Sequence, residues 1–207
     1  MGTEKKTISV VTPTWQRHSL IFSRCIPSVQ AQTCAEVEHV IVSDGPDENL
    51  RDFIAAIRRP RHPVRYFELS QHAPEPNFGH YARLHGVEQA AGAYITYDDD
   101  DDELRPEHCA LMAAALDADP GAGFAVSRMI SHNDRDGTLL SLGWGPLACG
   151  NVGTPMIAHR RETLGYGTWG PASQLEDWEL IQKWLNAGVK HAYVDHDTVD
   201  VWPSIYR

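Results

Sequence analysis

Residues 93–103 read AYITYDDDDDE, a short β-prone run followed without a break by six acids, Asp98 to Asp102 and then Glu103. Like charges in a row repel one another. At the mouth of a folded strand they are best relieved by a hard cation that prefers oxygen ligands, Mg²⁺ or Mn²⁺. Most acid runs are solvated loops or tails. This one lies mid-chain, between an apolar strand and a helix predicted to open at Pro106, and that position favours a metal site. At the carboxyl end of a sheet strand, where α/β proteins bind ligands, such a metal would sit beside an anion it neutralises, and a diphosphate suits that place.

Working outward, apolar strand-like runs at 8–11, 39–42, 64–69, 93–97, 123–126 and 191–194 alternate with helix-like stretches at 18–31, 48–58, 79–91, 106–116 and 175–186. That alternation predicts an α/β fold, a mostly parallel sheet flanked by helices in a single domain. Ser43-Asp44-Gly45-Pro46 is a strong turn signal, Pro74 and Pro76 make 71–77 a loop, and NDRDG at 133–137 reads as a hairpin turn. Residues 141–173, rich in Gly, Pro and Trp, are predicted to be long loops lining a site.

The 207 residues suit one domain with its own core, and 42% hydrophobic content is that of an ordinary globular protein. A formal net charge of -10 argues against general binding to nucleic acid or anionic membranes. Cys25, Cys34, Cys109 and Cys149 have no zinc-like spacing and read as reduced, buried thiols. The apolar run at 8–11 is too short for a signal peptide and no stretch approaches membrane-spanning length, so the expected location is cytoplasmic.

Several side chains are candidates for chemistry. Asp44, ending the second strand, is placed either to accept a ring N–H of a nucleotide base or to make an Asx-turn. Arg83, on the helix before the acidic strand, suits a diphosphate or the acidic loop. Ser173 and Glu176 have the spacing of a capping box, which leaves Asp177, in the first turn of the helix, as the better general base for a hydroxyl nucleophile.

Together these segments resemble the family 2 glycosyltransferases, enzymes of the GT-A fold, a Rossmann-like sheet flanked by helices, that move a sugar from a nucleotide diphosphate donor. The resemblance runs over roughly residues 7–202: ISVVTPTWQR (8–17) is similar to the family's first strand and turn, and VIVSDGPDEN (40–49) to its second strand with a base-reading Asp. ARLHGVEQAAGAYITYDDDDDELRPEHC (82–109) resembles its Arg-bearing helix, fourth strand and DxD motif, and EDWELIQKWLNAG (176–188) its late acid pair. The resemblance implies a nucleotide-sugar-binding half, 1–105, and an acceptor-binding half, 106–207. It implies that Thr12, Pro13, Thr14, Asp44, Arg83, Asp99 and Asp100 hold the nucleotide-sugar, that Asp99 and Asp101 are the DxD acids reaching ribose and metal, and that His196 joins the metal shell. It implies Asp177, with Glu176, as the catalytic pair in a metal-dependent displacement with inversion, a UDP-sugar being the favoured donor.

The chain departs from the family pattern at Asp98, where an apolar residue is usual; a slip of one would make Asp100 a metal ligand. Leu84-His85 replaces an Asn common after the helix Arg, and no QxxRW occurs, which argues against a processive synthase. Trp144, Tyr166 and Trp169 are placed to stack on a sugar or to pack in the core. The alternatives are a non-catalytic GT-A-like domain that binds a nucleotide-sugar or metal, and a nucleotidyltransferase, although TPTWQRHS lacks the Gly-rich loop the latter needs. The acceptor, whether saccharide, lipid-linked or small molecule, is not legible.

Overall fold

The computed structural model describes residues 7–202 apart from 35, 75, 134, 135, 171 and 172. In it β1 (Ile8–Thr14) and β2 (Val37–Ser43) are buried at every position. Strands covered on both faces need near-continuous apolar runs, which Ile8, Val10 and Val11 supply in one and Val40, Ile41 and Val42 in the other. β1 pairs in parallel with β2 on one side and with β4 (Tyr94–Tyr97) on the other, and β2 pairs in parallel with β3 (Val64–Glu68).

Parallel neighbours require crossovers, and helices provide them. The first is a helical segment in which α1 (His18–Leu20) and α2 (Ile26–Gln30) are joined by a wide π turn, Ile21–Cys25. The others are α3 (Glu48–Ala56) and α4 (His80–Gln89).

Beyond β4 the sheet becomes mixed. The hydrogen-bonded order is β3-β2-β1-β4-β8-β6-β9-β5, with β5 Glu103–Leu104, β6 Ala122–His132, β8 Ile157–Arg160 and β9 Lys190–Val201, while β7 (Leu139–Leu142) forms a hairpin with β6. The hairpin matches expectation, though Asp134 and Arg135 of its predicted turn lie outside the described residues. The stretch 141–173 corrects the expectation of loops throughout, because β8 lies in mid-sheet, antiparallel to both β4 and β6. IAHR is too short and too polar to announce a strand; two flanking strands define it, and its buried His159 bonds through Nε2 to the Tyr97 hydroxyl at 2.8 Å.

Alternation along the strands divides the core between two faces. Val11, Ile95, Tyr97 and Phe124 pack with Leu180, Ile181 and Trp184 of α6 (Glu176–Asn186). Val10, Tyr94 and Ala125 pack instead with Cys109, Met112 and Leu116 of α5 (His108–Ala118). No helix among the described residues is long and apolar enough to cross a membrane.

Candidate active site

Since β1, β2 and β4 are parallel, the segments following them, from Trp15, Asp44 and Asp98, emerge at one edge of the sheet. A cleft of about 600 Å³ opens there. Its floor carries Pro13, Thr14 and Trp15 after β1, Asp44 after β2, and Asp99 and Asp100 after β4. One wall is Asn77, Phe78 and Gly79, leading into α4 and Arg83; another is Ser173, Gln174, Glu176 and Asp177 at the start of α6. Gly79 has φ +75, and a Cβ there would stand 3.0 Å from Pro13 Cβ, so the wall closes on the β1 turn only with glycine.

The acidic run sorts itself by depth. Asp98 is fully buried and accepts from Ser28 Oγ at 3.2 Å, and burial pushes its carboxyl pKa upward. Asp100 accepts from Thr14 Oγ1 and from Arg17 Nη1, both at 2.7 Å, and burial pushes its pKa up to about 6. Arg17 also lies 3.3 Å from Asp101, which is wholly buried and does not line the cleft. Arg24 Nη1 donates to the Asp101 carbonyl at 3.1 Å, so the π-helical segment clasps the turn from behind. Asp99 alone keeps a carboxylate well exposed to the cleft, with Arg83 Nη2 3.3 Å away.

Glu176 does not act in a capping box. α6 begins at Glu176 itself, its N-cap Leu175 makes no side-chain cap bond, and Ser173 Oγ donates to Glu179 at 3.0 Å. The Glu176 carboxylate instead meets Arg83 Nη1 and lies 3.5 Å from His80 Nδ1. Burial, outweighing the Arg83 charge, lifts its pKa to about 7. Asp177 faces the cleft beside it, accepts from the Trp178 N–H at 2.6 Å and is also raised, first by burial and further by Asp99. Asp44, at the other end of the strand row, accepts from the Ala73 N–H at 3.1 Å and has His72 Nδ1 3.1 Å from its second oxygen. The His72 ring is stacked on Trp15, centroids 4.5 Å apart.

The chain matches the profile described as "Glycosyl transferase family 2" over residues 9–164. It belongs to glycosyl transferase family 2. It is 28% identical over 97 residues to the Campylobacter jejuni GalNAc(5)-diNAcBac-PP-undecaprenol beta-1,3-glucosyltransferase, covering 47% of this chain and 30% of that protein. It is 32% identical over 109 residues to the putative colanic acid biosynthesis glycosyl transferase WcaA of Escherichia coli, covering 52% and 37%. The chain thus spans about a third of the length of these relatives. Among solved structures, S. aureus TarS superposes with TM-score 0.74 at 19% identity over 96% of this chain and 37% of that one. TarS 1-349 in complex with UDP-GlcNAc gives 0.73 at 19% identity, over 95% of this chain and 58% of that one. These superpositions place the fold with the GT-A structures.

Within this family member, not every expected residue reaches the cleft. Thr12 is a correction: its side chain is fully buried, 2.9 Å from His39 Nε2, because it lies two residues deeper in the sheet than Thr14, on the same strand face but short of the cleft. His196 is another, since it lies exposed on β9, outside the cleft, beside Asp195 and Asp197, whose carboxylates pair with Arg128. Trp169 is core, its Nε1 donating to the Tyr97 hydroxyl at 3.0 Å, whereas Trp144 and Tyr166 are exposed and outside the cleft. Trp15 and Arg17 join the site unexpectedly, although both lie in the turn after a buried strand, the signal that singles out Asp44. Asn77, Phe78 and Gln174 are loop residues with no such signal.

Proposed function

We propose that this cleft binds a nucleotide diphosphate sugar, a UDP-sugar by preference, and that the chain transfers the sugar to an acceptor hydroxyl with inversion. One observation carries the reading: Asp44, Asp99 and Asp177, from three distant segments, line a single cleft at the carboxyl ends of parallel strands. Asp44 keeps acceptor capacity for a base ring N–H, and Trp15 offers an aromatic surface beside it. The acceptor oxygen attacks the anomeric carbon, the bond from that carbon to the diphosphate oxygen breaks, and Asp177 takes the hydroxyl proton. A carboxylate raised by burial is a stronger base than one in water.

Among the described residues no three His, Cys, Asp or Glu side chains converge as a metal cage. The donor set nevertheless fits Mg²⁺ or Mn²⁺, which bind through one or two carboxylates and draw their remaining ligands from phosphate and water. Asp99, whose carboxylate faces the cleft, would hold the ion, whereas Asp101, the other expected carboxylate ligand, is wholly buried outside the cleft; when bound, the ion would neutralise the departing nucleoside diphosphate. TarS with UDP-GlcNAc supports the donor class, and the two named transferases support the reaction class.

The test is release of UDP from UDP-glucose and UDP-N-acetylglucosamine with Mn²⁺ over a panel of saccharide and lipid-linked acceptors. Acceptor-dependent release supports transfer. Tight donor binding with no release over the panel would leave a binding domain.

A further inference from the structure

We propose that Arg83 is a positioning residue that fastens the start of α6 to the acidic turn, and that it does not ligate the diphosphate. Its side chain is 4% exposed. Nη1 meets Glu176 Oε1, while Nη2 lies 3.3 Å from Asp99 Oδ1 and 3.4 Å from the Phe78 carbonyl. The guanidinium rests on the Trp169 ring, 4.7 Å from its centroid. Trp169 is itself fixed by its bond to the Tyr97 hydroxyl, which in turn bonds His159. Arg83 borders the cleft, but both of its terminal nitrogens already have partners, Nη1 on Glu176 and Nη2 on Asp99 and the Phe78 carbonyl, so a phosphate would have to displace one of them.

A buried ion pair seldom adds net stability over apolar packing, so the use of this one is geometric. A single cation is shared by Asp99, on the donor side of the cleft, and Glu176, the residue before Asp177. The base is therefore held at a fixed place relative to Asp99 through Arg83. The catalytic consequence rests on the transfer reading; the mechanical one does not.

The test compares Arg83→Met, Glu176→Met and the paired variant, in which neither partner is left as an unmatched buried charge. Each single variant is expected to melt well below wild type and the pair close to it. In the pair, UDP affinity with Mn²⁺ should stay within about threefold of wild type, while kcat for hydrolysis of UDP-N-acetylglucosamine falls about 100-fold or more with KM little changed. Amide exchange over residues 174–180 should quicken about tenfold as the helix start loosens. Loss of UDP affinity by about tenfold with exchange unchanged would make Arg83 a phosphate ligand and overturn the proposal. Exchange needs no nucleotide, so if wild type bound no UDP the transfer reading would fall while the exchange result still decided the role of Arg83.

Discussion

At the scale of single residues, the two acids opening α6 divide their work by direction. Asp177 faces the cleft and Glu176 faces Arg83. Asp177→Asn keeps shape and the acceptor for the Trp178 N–H but removes the base, so turnover is expected to fall about 10²–10⁴-fold with UDP affinity and melting temperature near wild type. Rate and calorimetry on the same preparation check this; full turnover would remove Asp177 from the mechanism. Asp44→Ala removes one base-edge acceptor and leaves the phosphate contacts, so the ranking among UDP, GDP, ADP and CDP should flatten. Titration calorimetry over the four reads it directly. An unchanged ranking would return Asp44 to a turn-forming role, which its bond to the Ala73 N–H already shows it can fill.

Among the elements, α4 matters most, since it carries both Arg83 and His80 to Glu176. It approaches β1 closely because Gly86 has no side chain: a Cβ there would stand 2.5 Å from Val11 Cγ1 and 3.3 Å from Val42 Cγ2. Alanine is the better helix former by about 1 kcal/mol, yet the clash with two β-branched side chains on buried strands costs more, so Gly86→Ala should destabilise by about 1–3 kcal/mol. Denaturant unfolding measures the sign. A stabilised variant would mean that α4 can shift outward freely, and Arg83 would then be a poor anchor.

For the whole molecule, the cleft gathers carboxylates, and its ligands should report on that. UDP with Mn²⁺ is expected to raise the melting temperature clearly more than UDP in EDTA, because the acidic turn repels phosphate unless a cation intervenes. Equal shifts would end the metal reading. Proton linkage has a defined sign as well. Glu176 has its folded pKa raised to about 7, above its ordinary 4.5, so its contribution to stability is full below about 4.5 and is lost as pH rises through about 7. Asp100, raised to about 6, acts in the same direction. Buried His39, His108 and His159, whose pKa values burial lowers, act in the opposite direction, so the readable quantity is a difference: from pH 5 to pH 8 the wild-type melting temperature should fall relative to that of Glu176→Gln, which has nothing to ionise there. A gap between the two melting temperatures that is the same at pH 5 and pH 8 would contradict it.

The sequence by itself determined the parallel half of the sheet and the location of its ligand edge. Buried strands such as 8–14 and 37–43 show their burial in short apolar stretches, Val10-Val11 and Val40-Ile41-Val42, and the residue that follows such a strand in a parallel sheet stands at its ligand edge. Asp44 and Asp99 were placed at the cleft for that reason, whereas Asp177 stood out as an acid in the first turn of a helix. Only the tertiary structure decided where side chains on either side of those ends point and what they meet. β8 is a strand because β4 and β6 flank it, Thr12 is covered because it lies deeper in β1 against His39, and Glu176 leaves a cap for Arg83 because α4 brings that residue to it. Spacing along a chain records local periodicity, whereas a partner 93 residues away is set by how the layers pack.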